Sequence, residues 1–204
     1  MSNRIQAAEA LLRLKAGNSQ YVQSNSYTGD VSSAIRSNTA KNGQFPYAIV
    51  IACSDSRVIP EIIFSAGMGE LFTIRVAGNV IDRHQLGSIE YAVSHLKSPL
   101  VVVLGHTHCG AIKAALDGEA GPVAAITERI VAALGDVRDP YEASVANARA
   151  AAAELAASPE LARLAAEHDL DIRVAIYHTH CGVVDFLQRG SEILTFDGEI
   201  PLLK

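Results

Sequence analysis

Residues 47–57 read Tyr-Ala-Ile-Val-Ile-Ala-Cys-Ser-Asp-Ser-Arg, an apolar run that ends in a cysteine and two charged side chains. The apolar part, Tyr47–Ala52, is short, continuous and rich in Ile and Val, which is typical of a strand buried in a parallel sheet. Sites in open α/β sheets form at the carboxyl ends of such strands. The stretch therefore predicts an α/β fold that presents Cys53, Asp55 and Arg57 at one edge of its sheet.

A second run of the same kind follows further along the chain. Leu100–Leu104 leads into Gly-His-Thr-His-Cys-Gly at residues 105–110. Because the carboxyl ends of parallel strands meet at one edge, Cys53, His106 and Cys109 could converge there. A single cysteine or histidine near a strand end is more often structural. Together, two thiolates and an imidazole suit zinc, and three protein ligands leave one position for water or substrate.

The remaining patterns complete the predicted fold class. Leu71–Val76 and Ile172–Tyr177 predict two more strands, and Val183–Leu187 predicts a short fifth strand, antiparallel because its connection is tight. Helices are expected at Arg4–Lys15, Pro60–Phe64, Ser88–Leu96 and Gly110–Leu116, with two or three more within Pro122–Ala166. This order predicts an α/β fold with a mainly parallel central sheet of four strands plus a short fifth strand, flanked by helices.

The segment before the first strand predicts an N-terminal helical arm over residues 1–26. Gly17-Asn18 predicts the end of its first helix, and a second short helix would hold Tyr21 and Val22. The arm could pack on its own domain or on a partner chain. Ser24–Gln44 is polar and predicts a loop with a helical turn near Ile35. We expect the whole chain, residues 1–204, to form a single domain.

The composition restricts the possible partners and compartments. Seventeen basic and 22 acidic residues give a net charge of −5 without a basic patch, which argues against nucleic acid. No apolar run has transmembrane length, and no targeting segment is recognised, so a membrane is not an expected partner. Three widely spaced cysteines do not form a disulfide framework. They favour a cytoplasmic location, where thiols more often serve metals or catalysis.

The two motifs together resemble those of the β-class carbonic anhydrases. The resemblance extends to Leu14–Asn18, Arg75–Asn79 and Ser88–Leu96, and it covers most of the chain up to about Leu116. It implies one Zn²⁺ per chain, held by Cys53, His106 and Cys109. It also implies reversible hydration of carbon dioxide to bicarbonate and a proton by zinc-bound hydroxide, in a homodimer or a dimer of dimers.

The resemblance assigns further roles. It implies that Asp55 and Arg57 form a catalytic pair beside the metal, with Arg57 keeping Asp55 ionised and Asp55 orienting the nucleophile. Residues matching the substrate pocket are Gln44, Gly110, Phe72 and Ala77. Tyr91 and His95 match residues proposed for proton transfer in plant-type members. For these two residues, helix packing and surface exposure are the alternative interpretations.

The pentapeptide His-Thr-His-Cys-Gly of residues 106–110 recurs at 178–182. The family usually has an Asp and a Thr-Gly turn here, so this is a departure from its pattern. One interpretation is a second metal site formed by His178, His180 and Cys181. The other is a strand-to-turn junction that happens to contain these residues, which is favoured because no second Cys-x-Asp-x-Arg accompanies it.

Alternative functions remain compatible with the motifs. A relative that hydrolyses carbonyl sulfide or carbon disulfide would use the same zinc chemistry. A non-enzymatic zinc-binding or bicarbonate-sensing protein would not need the pair formed by Asp55 and Arg57. A thiol-based phosphatase places more residues between its Cys and Arg than the three that separate Cys53 from Arg57.

A further expectation concerns regulation. Some family members bind bicarbonate at a second pocket that stabilises an inactive state, in which the Asp leaves its Arg and binds zinc. The matching positions here are Val50, Ala52 and Arg75, and only the arginine agrees with those members. We therefore expect an open form with Asp55 paired to Arg57, and a structural ion pair at Arg75.

Overall fold

The fold is built on a five-stranded sheet with the strand order β2-β1-β3-β4-β5. The computed structural model describes residues 5–24, 26–167 and 169–188. The strands are β1 (Ala48–Ala52), β2 (Leu71–Arg75), β3 (Leu100–His106), β4 (Asp171–Tyr177) and β5 (Val184–Phe186). The first four are parallel, and β5 runs antiparallel to β4. The predicted fold class is therefore confirmed.

The described part of the chain contains eight α-helices. They are α1 (Ala7–Gln23), α2 (Ser33–Asn42), α3 (Pro60–Ile63), α4 (Arg83–Ser94), α5 (Gly110–Leu116), α6 (Ala124–Leu134), α7 (Pro140–Ala156) and α8 (Pro159–Glu167). Short 3-10 turns lie at Ala77–Asn79 and Gly121–Val123. None of these helices combines the length and apolarity required to cross a membrane, as far as the described residues extend.

The central strands are buried on both faces, as their continuous apolar sequences predict. Successive side chains of a strand point to opposite faces. Val50 and Val102 accordingly pack with α1 and α3 on one side of the sheet. Ile51 and Val103 pack with α4, α7 and α8 on the other side. Burial on both faces leaves the strand ends as the positions where polar side chains can collect.

The N-terminal arm differs from its prediction. Helix α1 continues through Gly17-Asn18 instead of ending there, and its residues Ala10 and Leu14 are buried in the core of the same chain. The glycine is needed for close approach, since a Cβ at Gly17 would lie 1.9 Å from the carbonyl oxygen of Phe64. The Asn18 side chain bonds the backbone of Ile63, Gly182 and Val184, so both residues serve tertiary contacts and not a helix end.

Smaller corrections concern helix and strand limits. Ser33–Asn42 is a ten-residue helix capped by Ser32, where only a helical turn was expected. Helix α4 begins at Arg83, before the predicted Ser88, because Asp82 and Gln85 form a capping box. Strand β3 extends through Gly105 to His106. Arg4 lies outside the described residues.

The second His-Thr-His-Cys-Gly segment is the turn of the β4–β5 hairpin. The N–H of His178 donates to the Val183 carbonyl, and the N–H of Gly182 donates to the His178 carbonyl. Gly182 has a φ of 80°, a left-handed conformation that glycine adopts readily. Within the described residues, His178, His180 and Cys181 do not form a group whose ligand atoms could share a metal. The turn interpretation is the one that agrees with the structure.

Candidate metal centre and catalytic site

Three potential metal ligands meet at the carboxyl edge of the sheet. Cys53 directly follows β1, His106 is the last residue of β3, and Cys109 caps the N-terminus of α5. Their ligand atoms lie within 4.8 Å of one another, and all three residues are buried. This is the convergence that the parallel arrangement of β1 and β3 predicts. Among the described residues it is the single group of this kind.

The imidazole of His106 is arranged as a metal ligand would be. Its Nδ1 lies 3.0 Å from the Thr107 carbonyl oxygen, to which it can donate a hydrogen bond. Its Nε2 is buried and has no hydrogen-bond partner. An orphaned buried nitrogen is costly unless something binds it. Since the bond at Nδ1 selects the tautomer with a lone pair on Nε2, the residue fits a metal at that position.

The two sulfur atoms form a polar pair within an apolar cluster. Cys53 and Cys109 pack with Val80, Ile112 and Ile130. Hydrogen bonding with Cys109 lowers the pKa of Cys53, and the backbone N–H groups of Asp55 and Gly78 act in the same direction. The same contact with Cys53, together with burial, raises the pKa of Cys109. Both sulfurs must be deprotonated to bind a divalent cation, so metal binding at this pair would release protons.

Asp55 and Arg57 form a two-pronged ion pair beside these ligands. Arg57 Nε lies 3.0 Å from Asp55 Oδ1, and Arg57 Nη2 lies 2.8 Å from Asp55 Oδ2. The Arg57 side chain lowers the pKa of Asp55 to about 2, mainly through these hydrogen bonds. Arg57 Nη2 also donates to the His108 carbonyl at 3.0 Å. The carboxylate is thus ionised at neutral pH and held in one orientation next to the candidate metal centre.

Backbone contacts that the sequence did not suggest also define the site. The Gly78 N–H donates to Cys53 Sγ at 3.2 Å. Gly78 has a φ of 68°, and a Cβ there would lie 2.8 Å from Ile130. Arg75 donates to the carbonyls of Cys53 and Asp55, at 3.1 and 2.7 Å. The sequence predicts an ion pair for Arg75. The described contacts of its side chain are instead hydrogen bonds to backbone carbonyls.

Signals for these contacts were present but ambiguous. Gly78-Asn79 after a predicted strand is an ordinary turn signal, and the sequence does not reveal that the Gly78 N–H reaches a sulfur 25 positions earlier. The role of Arg75 depends on the register of β2 with β1, which pairs Arg75 with Ala52 and so places its side chain beside Cys53.

The predicted substrate residues separate into two groups within one chain. Ala77 begins the 3-10 turn that contains Gly78, and Gly110 follows Cys109 at the start of α5, so both lie at the carboxyl edge. Gln44 precedes β1, Phe72 is the second residue of β2, and both lie toward the amino edge. At about 3.3 Å per residue, Ala48 and Cys53 are about 16 Å apart along the strand direction.

The residues matching the proton-transfer positions belong to the distant group. The Phe72 and Tyr91 rings lie 6.4 Å apart, and Tyr91 stacks on His95 at 4.8 Å. Gln44, Tyr91 and His95 line one open cavity of about 780 Å³ at the amino edge, together with Phe45. We call Gln44, Phe72, Tyr91 and His95 the amino-edge group. In one chain the structure does not bring this group to Cys53, His106 and Cys109.

Comparison with known proteins identifies the family. Residues 48–184 match the sequence profile described as carbonic anhydrase. With the fold and the arrangement of the site, this match shows that the chain belongs to the β-carbonic anhydrase family. The predicted resemblance is therefore confirmed.

Two similar sequences come from bacteria. Carbonic anhydrase 2 of Mycobacterium tuberculosis is 50% identical over 103 residues, which are 50% of this chain and 49% of that protein. A carbonic anhydrase of Pseudomonas aeruginosa is 38% identical over 155 residues, covering 72% of this chain and 66% of that protein. The chain spans about half the length of the mycobacterial relatives it matches.

Solved structures share the fold. The β-carbonic anhydrase CafA of Aspergillus fumigatus has a TM-score of 0.66 at 28% identity, covering 91% of this chain and 92% of its own. A tetrameric β-carbonic anhydrase of Sordaria macrospora has a TM-score of 0.65 at 27% identity, covering 78% of this chain and 97% of its own.

Proposed function

We propose that the protein is a zinc-dependent carbonic anhydrase that interconverts carbon dioxide and bicarbonate. The observation that carries the proposal is the buried group of Cys53, His106 and Cys109 beside the ion pair of Asp55 and Arg57. Two sulfurs and an imidazole nitrogen without a partner are the donor set that zinc prefers. A purely structural zinc site would not need an ionised carboxylate held next to it.

Zinc bound at this site would supply Lewis acidity, which makes a water molecule nucleophilic near neutral pH. The protein's own groups would provide orientation. Asp55, ionised and fixed by Arg57, can accept a hydrogen bond from the nucleophile and aim it at the substrate carbon. The N–H of Gly110 can donate to a developing bicarbonate oxygen, since it belongs to the first turn of α5 and lacks a helical partner there.

We further propose that the complete site forms between two copies of the chain. The amino-edge group lies at the far end of the sheet from its own metal ligands, and a second copy could supply it. Several side chains near this edge are apolar and exposed, including Phe45 at 73% and Tyr91 at 46%. Such a patch is typical of an interface. This proposal agrees with the tetrameric description of the Sordaria macrospora enzyme.

The proposal includes an open resting state in the cytoplasm. The Asp55 carboxylate accepts three hydrogen bonds from Arg57, one from its backbone N–H and two from its guanidinium, and these keep it from serving as a metal ligand. Val50 and Ala52 are fully buried in β1 and offer no donor to an anion. All three cysteines are free thiols, which fits a reducing compartment.

The proposal is tested by measuring zinc content and stopped-flow gas hydration on the purified protein. We expect about one zinc per chain and hydration of carbon dioxide, with carbonyl sulfide offered in parallel as the competing substrate. Asp55→Asn should lower kcat by about 10- to 100-fold while zinc is retained, because the acceptor next to the metal is lost.

Asp117→Asn is the matched control, because Asp117 is an exposed carboxylate paired with Lys113 on the surface of α5. It should leave the rate within about twofold, since exposed pairs contribute little. A zinc-loaded protein that hydrates neither gas would contradict the enzymatic proposal and favour a binding or sensing role. Faster turnover of carbonyl sulfide would reassign the substrate.

A further inference from the structure

The second His-Thr-His-Cys-Gly segment, residues 178–182, is a motif that the proposed reaction does not use. It forms the β4–β5 hairpin turn and lies against the first copy, residues 106–110, because β3 and β4 are adjacent and parallel. The register pairs His106 with Tyr177, so both segments leave the sheet at the same level. We call residues 106–109 the metal loop and residues 178–182 the hairpin turn.

The hairpin turn is fixed from two sides. His178 Nε2 lies 2.8 Å from Asp185 Oδ2, across the hairpin, and the His178 ring stacks on Tyr141 of α7 at 5.9 Å. On the other side, Asn18 of α1 donates to the Gly182 carbonyl at 2.8 Å and accepts from the Val184 N–H at 2.9 Å. The turn is therefore a rigid support and not a free surface loop.

Thr179 connects this support to the metal loop. Its N–H donates to Thr107 Oγ1 at 3.0 Å, and the two hydroxyl oxygens lie 3.1 Å apart. Thr179 Oγ1 also lies 3.2 Å from His108 Nδ1. Thr179 Oγ1 also lies 3.4 Å from the Thr107 carbonyl oxygen, so the Thr179 hydroxyl contacts the metal loop at three polar atoms, Thr107 Oγ1, the Thr107 carbonyl oxygen and His108 Nδ1.

The metal loop needs such support because of the conformation of His108. This residue has a φ of 58°, in the left-handed region that a side chain with a Cβ rarely adopts. The conformation presents the His108 carbonyl to Arg57 Nη2 at 3.0 Å. Arg57 in turn holds both oxygens of Asp55. A contact that holds His108 therefore affects Asp55 indirectly, because the His108 carbonyl positions the Arg57 guanidinium and the guanidinium positions the Asp55 carboxylate.

We infer that Thr179 is a positioning residue, which braces the metal loop and thereby fixes the ligand Cys109 and the orientation of Arg57 and Asp55. The second copy of the pentapeptide, in the hairpin turn, would then support the metal loop, and Thr179 would be the residue that makes the supporting contacts. This role rests on the proposed function for its kinetic consequence, but its effect on metal retention is independent of the substrate.

The test compares Thr179→Val, which keeps the shape and removes the hydroxyl, with Thr179→Ser, which keeps the hydroxyl. On the zinc-loaded protein, Thr179→Val should release zinc to a chelator about tenfold faster and lower kcat about tenfold, with KM within about twofold, as loss of a residue supporting metal ligands does. Thr179→Ser should restore both quantities to within about twofold of the wild type.

Thr127→Val is the matched control. Thr127 is buried in α6, and its hydroxyl donates to the Glu119 carbonyl at 2.9 Å. This variant should lose stability but keep its zinc release rate and kcat. Unchanged zinc release in Thr179→Val would overturn the inference, as would equal losses in Thr127→Val or a Thr179→Ser variant as defective as the valine.

If Thr179→Val does not fold, Thr107→Val takes its place, because it removes the reciprocal hydroxyl, and the same outcomes decide. A wild type that binds zinc without hydrating carbon dioxide would refute the proposed function and leave the zinc-release comparison valid.

Discussion

Cys53, His106 and Cys109 each offer one donor atom, and catalytic zinc sites use three protein ligands with one position open. Replacing any one of them with alanine should therefore abolish stoichiometric zinc and activity together. Metal analysis after dialysis against a weak chelator measures this directly. Cys181→Ala is the control, because Cys181 lies in the hairpin turn outside the ligand group, and it should keep both. Near-stoichiometric zinc in Cys109→Ala would contradict the assignment of Cys109 as a zinc ligand.

The ionisation of Asp55 gives a second prediction at this scale. Its pKa of about 2 lies below the ordinary value of about 3.9, so its ionised form stabilises the folded protein above about pH 4. That contribution is lost as the pH falls through about 2. A decline of activity near neutral pH must therefore come from another group, and the rate profile should follow one ionisation.

Arg57→Gln should move the Asp55 titration upward toward the ordinary range, because it removes the charged donor that causes the depression. Carbon-13 NMR of the aspartate carboxyls as a function of pH measures the shift. Asp30 serves as the internal reference, because hydrogen bonds from Ser32 and not from Arg57 lower its pKa, and its titration should be the same in both proteins. An Asp55 titration that does not move would show that another group holds its pKa down.

Helix α1 provides a prediction at the scale of the element. Alanine is a better helix former than glycine by about 1 kcal/mol, so helix propensity alone favours Gly17→Ala. The close approach of the Phe64 backbone reverses that sign, since the new Cβ would overlap a carbonyl oxygen that cannot move alone. We expect Gly17→Ala to lower the free energy of unfolding by more than about 2 kcal/mol, as overpacking in a core does.

Gly87→Ala is the control for this prediction. Gly87 lies within helix α4, and a Cβ there would meet no atom within 4 Å. It should stabilise the protein by about 0.5–1 kcal/mol. Denaturant unfolding of both variants, at matched protein concentration, separates the two effects. A stabilised Gly17→Ala would mean that α1 does not pack against α3 as described.

The elements that could be predicted from the sequence are those whose pattern is local. Strands β1 and β3 are uninterrupted apolar runs, and both are fully buried. The meeting of Cys53 with His106 and Cys109 followed from the parallel direction of two such strands. The sequence predicts an end of helix α1 at Gly17, although the helix continues. The reason for the glycine is the Phe64 carbonyl, which is 47 positions away and is not evident from the local pattern. Gly78 and His108 were missed for the same reason, since their roles depend on positive φ angles and on distant partners.

The division of the candidate site between two ends of the sheet gives a prediction for the whole molecule. If each site combines the metal ligands of one chain with the amino-edge group of another, two different inactive variants can complement each other. Asp55→Asn damages the metal half, and Gln44→Ala damages the amino-edge half. Random exchange of subunits should restore about a quarter of the wild-type rate, because half of the dimers are mixed and each mixed dimer has one intact site.

The control mixes Asp55→Asn with Arg57→Gln, both of which damage the same half. This mixture should recover nothing beyond the activities of its components, because no arrangement of the two chains produces an intact site. Analytical ultracentrifugation verifies that the subunits have exchanged and that no active monomer is present. Equal behaviour of the two mixtures would show that the site is complete within one chain.

Cys53 and Cys109 lie at the two ends of the chain segment that contains α3, β2, α4 and β3. A metal that joins these two sulfurs closes a loop of 57 residues, from position 53 to position 109. By the chain-entropy relation for cross-links, closing a loop of this length lowers the conformational entropy of the unfolded chain, which corresponds to about 4 kcal/mol of free energy at 25 °C. Zinc would therefore act as a staple for the half of the fold that contains the sheet centre. Chelation should lower the protection of backbone amides from hydrogen exchange more in β2 and β3, which lie inside this loop, than in α8, which lies outside it.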